Sequence, residues 1–281
     1  MDLTSLKTIK NLLKSRGIRP SKRLGQNFLI DRRAVRKIVE AAELKPTDLV
    51  LEIGPGIGTL TQELANRARK VIAVEKDQKM VEILRETLRG FDNIEIVRED
   101  IRMSDTPQDL EGCRTSLKYK VVGNLPFYLT APVIRQFLER PATPKLMVLV
   151  VQKEVAQRIC AKPPKMNLLA VSIQLYSTPE VVYCISKKSF WPRPEVDAAI
   201  IKLKVKSQKL KVNKDLFFKI VKAGFSQPRK QLINNLSKGL KIDKKKMEAW
   251  LLENNIKPSQ RAETLTIIDW LRLAKAYLTL K

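Results

Sequence analysis

The sequence predicts an α/β fold, a mostly parallel seven-stranded sheet covered by helices, with a small all-α domain behind it. Three observations predict it. Beginning at Leu49, short β-type apolar runs alternate with segments of helical period, the pattern of a parallel sheet clad by helices on both faces. The first run opens into a glycine-rich turn, where a doubly wound sheet meets its ligand. From Asn213 onward the periodicity is helical throughout.

Taken in order, Met1 to Arg23 is a basic segment that alternates polar and apolar residues and lacks the continuous apolar core of a signal peptide. Strands are expected at Leu49 to Ile53, Val71 to Glu75, Ile94 to Val97, Tyr119 to Val122 and Leu146 to Val151, with helices near Leu60 to Arg67, Lys79 to Leu88 and Pro132 to Glu139. Val181 to Ile185 and Ala198 to Val205 complete the seven, separated by a loop, Ser186 to Asp197, that carries Phe190-Trp191-Pro192-Arg193-Pro194. In the C-terminal part, Leu216, Phe217, Ile220 and Val221 form one apolar face, and Trp270, Leu271, Leu273, Ala274 and Leu278 another. Lys202 to Lys214 is lysine-rich and poor in large apolar residues after Val205, which sets the boundary between a domain of residues 1–205 and a helical domain of residues 206–281.

Charge narrows the function. The 281 residues carry 54 Lys and Arg against 29 Asp and Glu, a net +25, far more than solubility asks and a sign of a polyanionic partner, nucleic acid first. Residues 205–281 hold 18 basic and 6 acidic residues, so the helical domain reads as a docking element. There is no histidine, which excludes Ser/His and Cys/His nucleophilic schemes and most metal sites. Cys113, Cys160 and Cys184 are widely spaced and read as packing residues in a reducing compartment. No apolar run reaches 18 residues, so the expectation is a cytosolic protein without a membrane span.

Gly54-Pro55-Gly56-Ile57-Gly58 follows the first strand, and glycines there permit backbone conformations and a ligand approach that side chains obstruct. The G-x-G-x-G pattern departs from the G-x-G-x-x-G of pyrophosphate-binding sites. Glu75 ends the next strand, 21 residues after Gly54, where a carboxylate can accept both hydroxyls of a ribose. Asp100, just past the third strand, stands where it can accept from an adenine amine. Together Glu52, Gly54, Gly56, Glu75 and Asp100 describe a nucleoside cofactor without a pyrophosphate grip, which points to S-adenosylmethionine.

The fourth strand ends in Gly123-Asn124-Leu125-Pro126-Phe127. An adenine amine is a poor nucleophile because its lone pair is conjugated with the ring. The Asn124 side-chain oxygen and a backbone carbonyl at Leu125-Pro126 can hold the amine protons and localise that pair. Phe127 offers a flat face for an extruded base, and Phe190 is expected to close on the other. No strong base is needed, so the lack of histidine is tolerable.

These residues resemble the ribosomal RNA adenine N6,N6-dimethyltransferase family, most closely its bacterial small-subunit (16S) branch. The resemblance runs from about Arg19 to Leu278 and rests on Leu24-Gly25-Gln26-Asn27-Phe28-Leu29, Glu52 to Gly58, Glu75, Asp100, Asn124 to Phe127, Phe190 to Asp197, Phe225 to Lys230 and Arg261-Ala262-Glu263. It implies a Rossmann-like seven-stranded S-adenosylmethionine-dependent methyltransferase sheet with a C-terminal all-α domain. It further implies that Gln26, Asn27 and Leu29 contact the cofactor, that Gly54 and Gly56 lie beneath its methionine part, and that Asn124 bridges cofactor and substrate. The implied reaction is dimethylation of two adjacent adenines near the 3′ end of 16S rRNA, by a monomer, on a partly assembled subunit. Arg229 and Lys230 are the expected RNA contacts, although Pro228 interrupts a stretch the family usually keeps basic and polar, and Phe127 replaces its usual tyrosine. The rival within the fold is a large-subunit enzyme; the loop Phe190 to Asp197 and the basic helical domain favour the small-subunit branch. A DNA adenine methyltransferase would bring a base-reading domain, and an inactive assembly factor would not need every transfer residue.

Overall fold

The computed structural model describes residues 1–21, 23–102, 119–126, 129–140, 142–206 and 212–280, the last three as backbone only; Cys113 and Phe127 lie outside this set. Its elements are α1 (Leu6–Ser15), β1 (Phe28–Leu29), α2 (Arg32–Ala41), β2 (Leu49–Ile53), α3 (Thr59–Ala65), β3 (Lys70–Glu75), α4 (Gln78–Thr87), β4 (Ile94–Arg98), β5 (Tyr119–Asn124), α5 (Thr130–Glu139), β6 (Leu146–Gln152), α6 (Lys153–Ile159), α7 (Leu168–Gln174), β7 (Ser177–Ile185), β8 (Phe190–Trp191), β9 (Ala198–Val205), α8 (Lys214–Gly224), α9 (Leu232–Leu240), α10 (Lys244–Glu253) and α11 (Ile267–Leu280). Each expected strand and helix is present; β2 and β9 keep the expected bounds, and the others have ends moved by one to four residues.

The seven-stranded sheet has the order β4-β3-β2-β5-β6-β9-β7. The five strands β4, β3, β2, β5 and β6 run parallel and β9 returns antiparallel to β6. Their continuous apolar runs follow from position: β2 is buried at all five residues because helices cover both faces. The order reverses between β2 and β5, so the carboxyl ends of these strands open on the crevice where ligands of such sheets bind.

Caps fix the helices that frame this crevice. Asp31 accepts from the Arg33 and Ala34 amides at 2.9 and 3.2 Å and starts α2; Asp77 accepts from the Lys79 amide at 3.0 Å and starts α4. Each such cap contributes about 1 kcal/mol. Below the sheet, α2 and α3 bury Val35, Ile38, Leu60 and Leu64 with Val50, Val122 and Val150 in one cluster. At the amino end of the sheet Lys120 is 4% exposed, and its ammonium donates to the Ala42 carbonyl at 2.9 Å and meets Asp48 at 2.8 Å. A buried lysine on a strand is tolerable only with such a full set of acceptors.

Two features differ from the sequence expectation. The basic N-terminal segment, for which no element was expected from the sequence, holds a helix: Ser5 caps α1, whose Ile9, Leu12 and Leu13 pack with Phe28, Ile57, Met80 and Ile83 in a second cluster. And the loop Ser186 to Asp197 contains β8, which pairs antiparallel with β1 in a separate two-stranded ribbon, Phe28 opposite Trp191 and Leu29 opposite Phe190.

The chain divides into two compact units, Met1–Ala156 with Thr178–Lys206, and Gln157–Ser177 with Ser207–Lys281. The second unit therefore takes a piece, including α7, from inside the expected 1–205 domain. Its own core holds Phe217, Ile220, Val221, Leu232, Leu236, Trp250, Leu251 and Trp270. Gly224 lies so close to Trp270 that an added Cβ would fall 2.4 Å from the indole ring. Cys160 is half-buried, but Cys184 is exposed on β7, so the packing role expected of it does not hold. Among the described residues no helix is long and apolar enough to cross a membrane, and no group of three or more His, Cys, Asp or Glu residues is arranged to hold a metal.

Candidate active site

The cleft at the carboxyl edge of the sheet is assembled from four strand ends. After β2 the chain turns through Gly54 and Gly56, at φ 66° and 60°, a left-handed conformation that favours glycine. A Cβ on Gly56 would also stand 3.3 Å from the Phe28 ring, so the turn is closed from above by the first residue of β1. From β3 comes Glu75, 9% exposed. Its Oε2 accepts from the Gly56 amide at 3.2 Å and its Oε1 from the Asp77 amide at 2.9 Å. Burial pushes this carboxyl above the ordinary carboxylate range, while the two amides work against that shift.

Glu52, 1% exposed, forms the floor beside the turn, and its Oε2 has no hydrogen-bond partner among the described residues. Asp100 follows β4 and is held by cations: Lys76 Nζ and Arg102 Nη2 lie 2.7 Å from Oδ2, and the Arg102 amide and Nε lie 3.1 Å from Oδ1. The Arg102 hydrogen bonds, with Lys76 second, hold it far below the usual carboxylate range, so it is ionised throughout the working pH range.

Asn124 ends β5. Its amide nitrogen donates to the Asn27 carbonyl at 3.0 Å, which leaves the side-chain oxygen as the end available to a ligand. The two segments are closely apposed, since a Cβ on Gly25 would stand 2.9 Å from Pro126. Gln26 fastens the same loop, donating to Asp77 at 2.7 Å and accepting from the Ser21 amide at 2.8 Å.

The cleft is thus lined by Gln26, Asn27, Leu29, Glu52, Gly54, Gly56, Glu75, Asp100, Asn124 and Pro126, which the sequence had singled out, together with Phe28 and Lys76. Leu125, 2% exposed, is buried and does not line the cleft. Phe190 is not in the cleft: its ring is 3% exposed and packs in the cluster of Leu29, Ala34, Val35 and Ile38, so in this structure it cannot be the second stacking face. Arg229 and Lys230 are exposed on a turn between α8 and α9 that Asn235 fastens through the Gly224 and Gln227 carbonyls, at 2.7 and 3.0 Å.

The chain matches the Ribosomal RNA adenine dimethylase family over residues 18–277, which is most of its length and includes every strand end that builds the cleft. It belongs to that family. Curated relatives include the "Ribosomal RNA small subunit methyltransferase A" of Dehalococcoides mccartyi, 43% identical over 95% of this chain and 92% of the relative, and that of Alkaliphilus metalliredigens, 40% identical over 95% and 94%. Among solved structures, the 23S rRNA methyltransferase ErmE is 30% identical with a TM-score of 0.73, covering 89% of this chain and 98% of its own. A dimethyladenosine transferase from Plasmodium falciparum is 25% identical with a TM-score of 0.76, covering 90% and 98%.

As a ribosomal RNA adenine dimethylase the chain is an S-adenosylmethionine-dependent methyltransferase, and its cleft fits that cofactor. An acidic floor with an unpartnered buried carboxyl suits a cationic ligand, and Glu75 keeps one acceptor position on each oxygen for a vicinal diol. A second cavity shares Gly25, Gln26 and Asn27 with the first and is otherwise lined by Pro20, Gln152 and the segment from Pro192 to Val196. The sequence had marked the latter segment of this adenine dimethylase within the motif Phe190 to Asp197, but it gave no hint of Gln152, which ends β6 two residues beyond Val150, the register partner of Asn124 on β5.

Proposed function

We propose that this adenine dimethylase methylates two adjacent adenines near the 3′ end of 16S rRNA within the small subunit during ribosome biogenesis, as a cytoplasmic monomer. The observation that carries the chemistry is the orientation of Asn124, whose nitrogen is committed to the Asn27 carbonyl and whose oxygen is left for the substrate. The 16S assignment is supported by the names of curated relatives at 43% and 40% identity over nearly the whole chain.

S-adenosylmethionine supplies an activated methyl group on a positively charged sulfur. The residues of this chain do the rest. Gly54 and Gly56 let the backbone approach the methionine part, Glu75 accepts the ribose hydroxyls, and Asp100 accepts the cofactor adenine amine. Asp100 already meets four donors on its two oxygens, so this contact requires Lys76 or Arg102 to give way. The target base enters through the second cavity with its amine toward Asn124. There the Asn124 oxygen and the Leu125 carbonyl accept hydrogen bonds from the two amine N–H groups, which draws the nitrogen toward a pyramidal geometry and frees its lone pair for the methyl group, and the methylated amine then loses one proton to water. Phe127, outside the described residues, is the assigned stacking face.

Asn124→Ala tests this assignment. Removing an acceptor used chiefly in the transition state should lower methyl transfer to small subunits about 100-fold or more while the cofactor Kd stays within about tenfold. Equal loss of both would make Asn124 a cofactor ligand only.

A further inference from the structure

Glu52 has no role in the transfer just described, yet its surroundings are unusual. It is 1% exposed, it lines the cofactor cleft next to Gly54, and its Oε2 is unpartnered among the described residues. Among the described residues its neighbours supply no compensating charge. From β3 it faces Glu75, a second acid whose charge adds to the burden; from α3 comes only the Thr61 hydroxyl; opposite on β5 stands Val122; and α2 contributes Val35 and Ile38 to the same cleft. Lys76, the cation that lines this cleft, is tied to Asp100. A carboxyl so placed keeps its proton, because ionising it without a partner in a dry site is costly. Burial pushes it up to about 8.

We propose that Glu52 is the counter-charge for the cationic part of the cofactor: it is protonated in the free protein and gives up that proton when positive charge enters the cleft floor, so that binding S-adenosylmethionine releases one proton. The inference rests on S-adenosylmethionine being the ligand of this cleft. The balance is simple. The carboxyl O–H bond breaks, its electron pair stays on the oxygen, and the proton leaves to solvent through the open cleft. A neutral acid thereby becomes an anion facing a cation, and cofactor affinity rises with pH, at most tenfold per unit, up to about the pH where free Glu52 ionises by itself.

The experiment is calorimetric titration of the full chain near pH 6.5, where the ligand ammonium stays protonated, in two buffers of different ionisation enthalpy. The ligands are S-adenosylmethionine, S-adenosylhomocysteine and 5′-methylthioadenosine. The expected result is release of nearly one proton with S-adenosylmethionine and none with methylthioadenosine, which has the ribose and adenine but no cation. Release with S-adenosylhomocysteine as well would assign the ammonium as the sensed charge, and release with S-adenosylmethionine alone the sulfonium; either supports the proposal. Equal release with methylthioadenosine would place the proton on Glu75 at the ribose and overturn it. Glu52→Gln should abolish the release, and release persisting in that variant overturns the proposal too. Independently of any variant, the wild-type Kd for S-adenosylmethionine should tighten at least tenfold between about pH 6 and pH 8, and a flat profile contradicts the idea. Failure of S-adenosylmethionine to bind at all would instead overturn the cofactor assignment and, with it, this inference.

Discussion

Each oxygen of Glu75 is already held by one backbone amide, from Gly56 and from Asp77, so the carboxylate is aimed before any ligand arrives. Truncating it to alanine removes both ribose acceptors and leaves those amides without their partner. The expected cost is about 10- to 100-fold in S-adenosylmethionine Kd, measured by calorimetry, with an unchanged Kd contradicting the ribose role. Glu52 makes a prediction for stability. Its folded pKa is raised to about 8, so below the ordinary glutamate range the group is protonated in both states, and above that range the unfolded chain ionises first. Stability therefore falls by at most about 1.4 kcal/mol per pH unit from roughly pH 5 until the folded group ionises near 8. Glu75, also raised, adds to the same slope. Urea denaturation of Glu52→Gln against wild type should show a shallower loss over this window, and parallel curves would contradict it. The polar residues of the cleft were legible in the sequence because glycine, acid and Asn-Leu-Pro signals fall at strand ends, where chemistry collects. Phe190 was not: an aromatic ring that stacks on a base and one that fills a core look alike in sequence, and only its place opposite Leu29 decides.

At the level of elements, the sheet was readable because strands buried on both faces are written as unbroken apolar runs. The helix α1 was passed over although Leu6, Ile9, Leu12 and Leu13 keep the i, i+3, i+4 spacing of a helix face, because the residues that cover this face, Phe28, Ile57, Met80 and Ile83, are dispersed along the chain and give the short segment no partner in sequence. Ile9 is wholly buried in that cluster, so Ile9→Ala should cost about 2–5 kcal/mol in chemical denaturation. The cluster includes Phe28, whose ring abuts Gly56, so the same variant should weaken cofactor binding. A loss under about 1 kcal/mol would mean α1 is not part of the cooperative core. In the second unit, Gly224→Ala must displace the Trp270 ring and is expected to destabilise by about 1–3 kcal/mol.

For the whole molecule, composition identified a polyanionic partner but could not reveal that the helical unit recruits Gln157–Ser177, because a segment that leaves one unit and returns changes neither charge nor periodicity. The net charge of +25, and the 18 basic residues against 6 acidic in residues 205–281, make association with small subunits a matter of phosphate neutralisation. The affinity should drop at least about 100-fold between roughly 50 and 200 mM salt, and replacing Arg229 and Lys230 together should lower the salt slope by about one for each phosphate no longer neutralised. Salt-insensitive binding would contradict phosphate docking. The central claim is tested most directly by transfer of radiolabelled methyl from S-adenosylmethionine to small subunits that lack adenine dimethylation, with large-subunit RNA alongside and the modified nucleoside identified. Label in dimethyladenosine of the small-subunit RNA alone is the predicted result; tight subunit binding without label, or label in the large-subunit RNA instead, would contradict it.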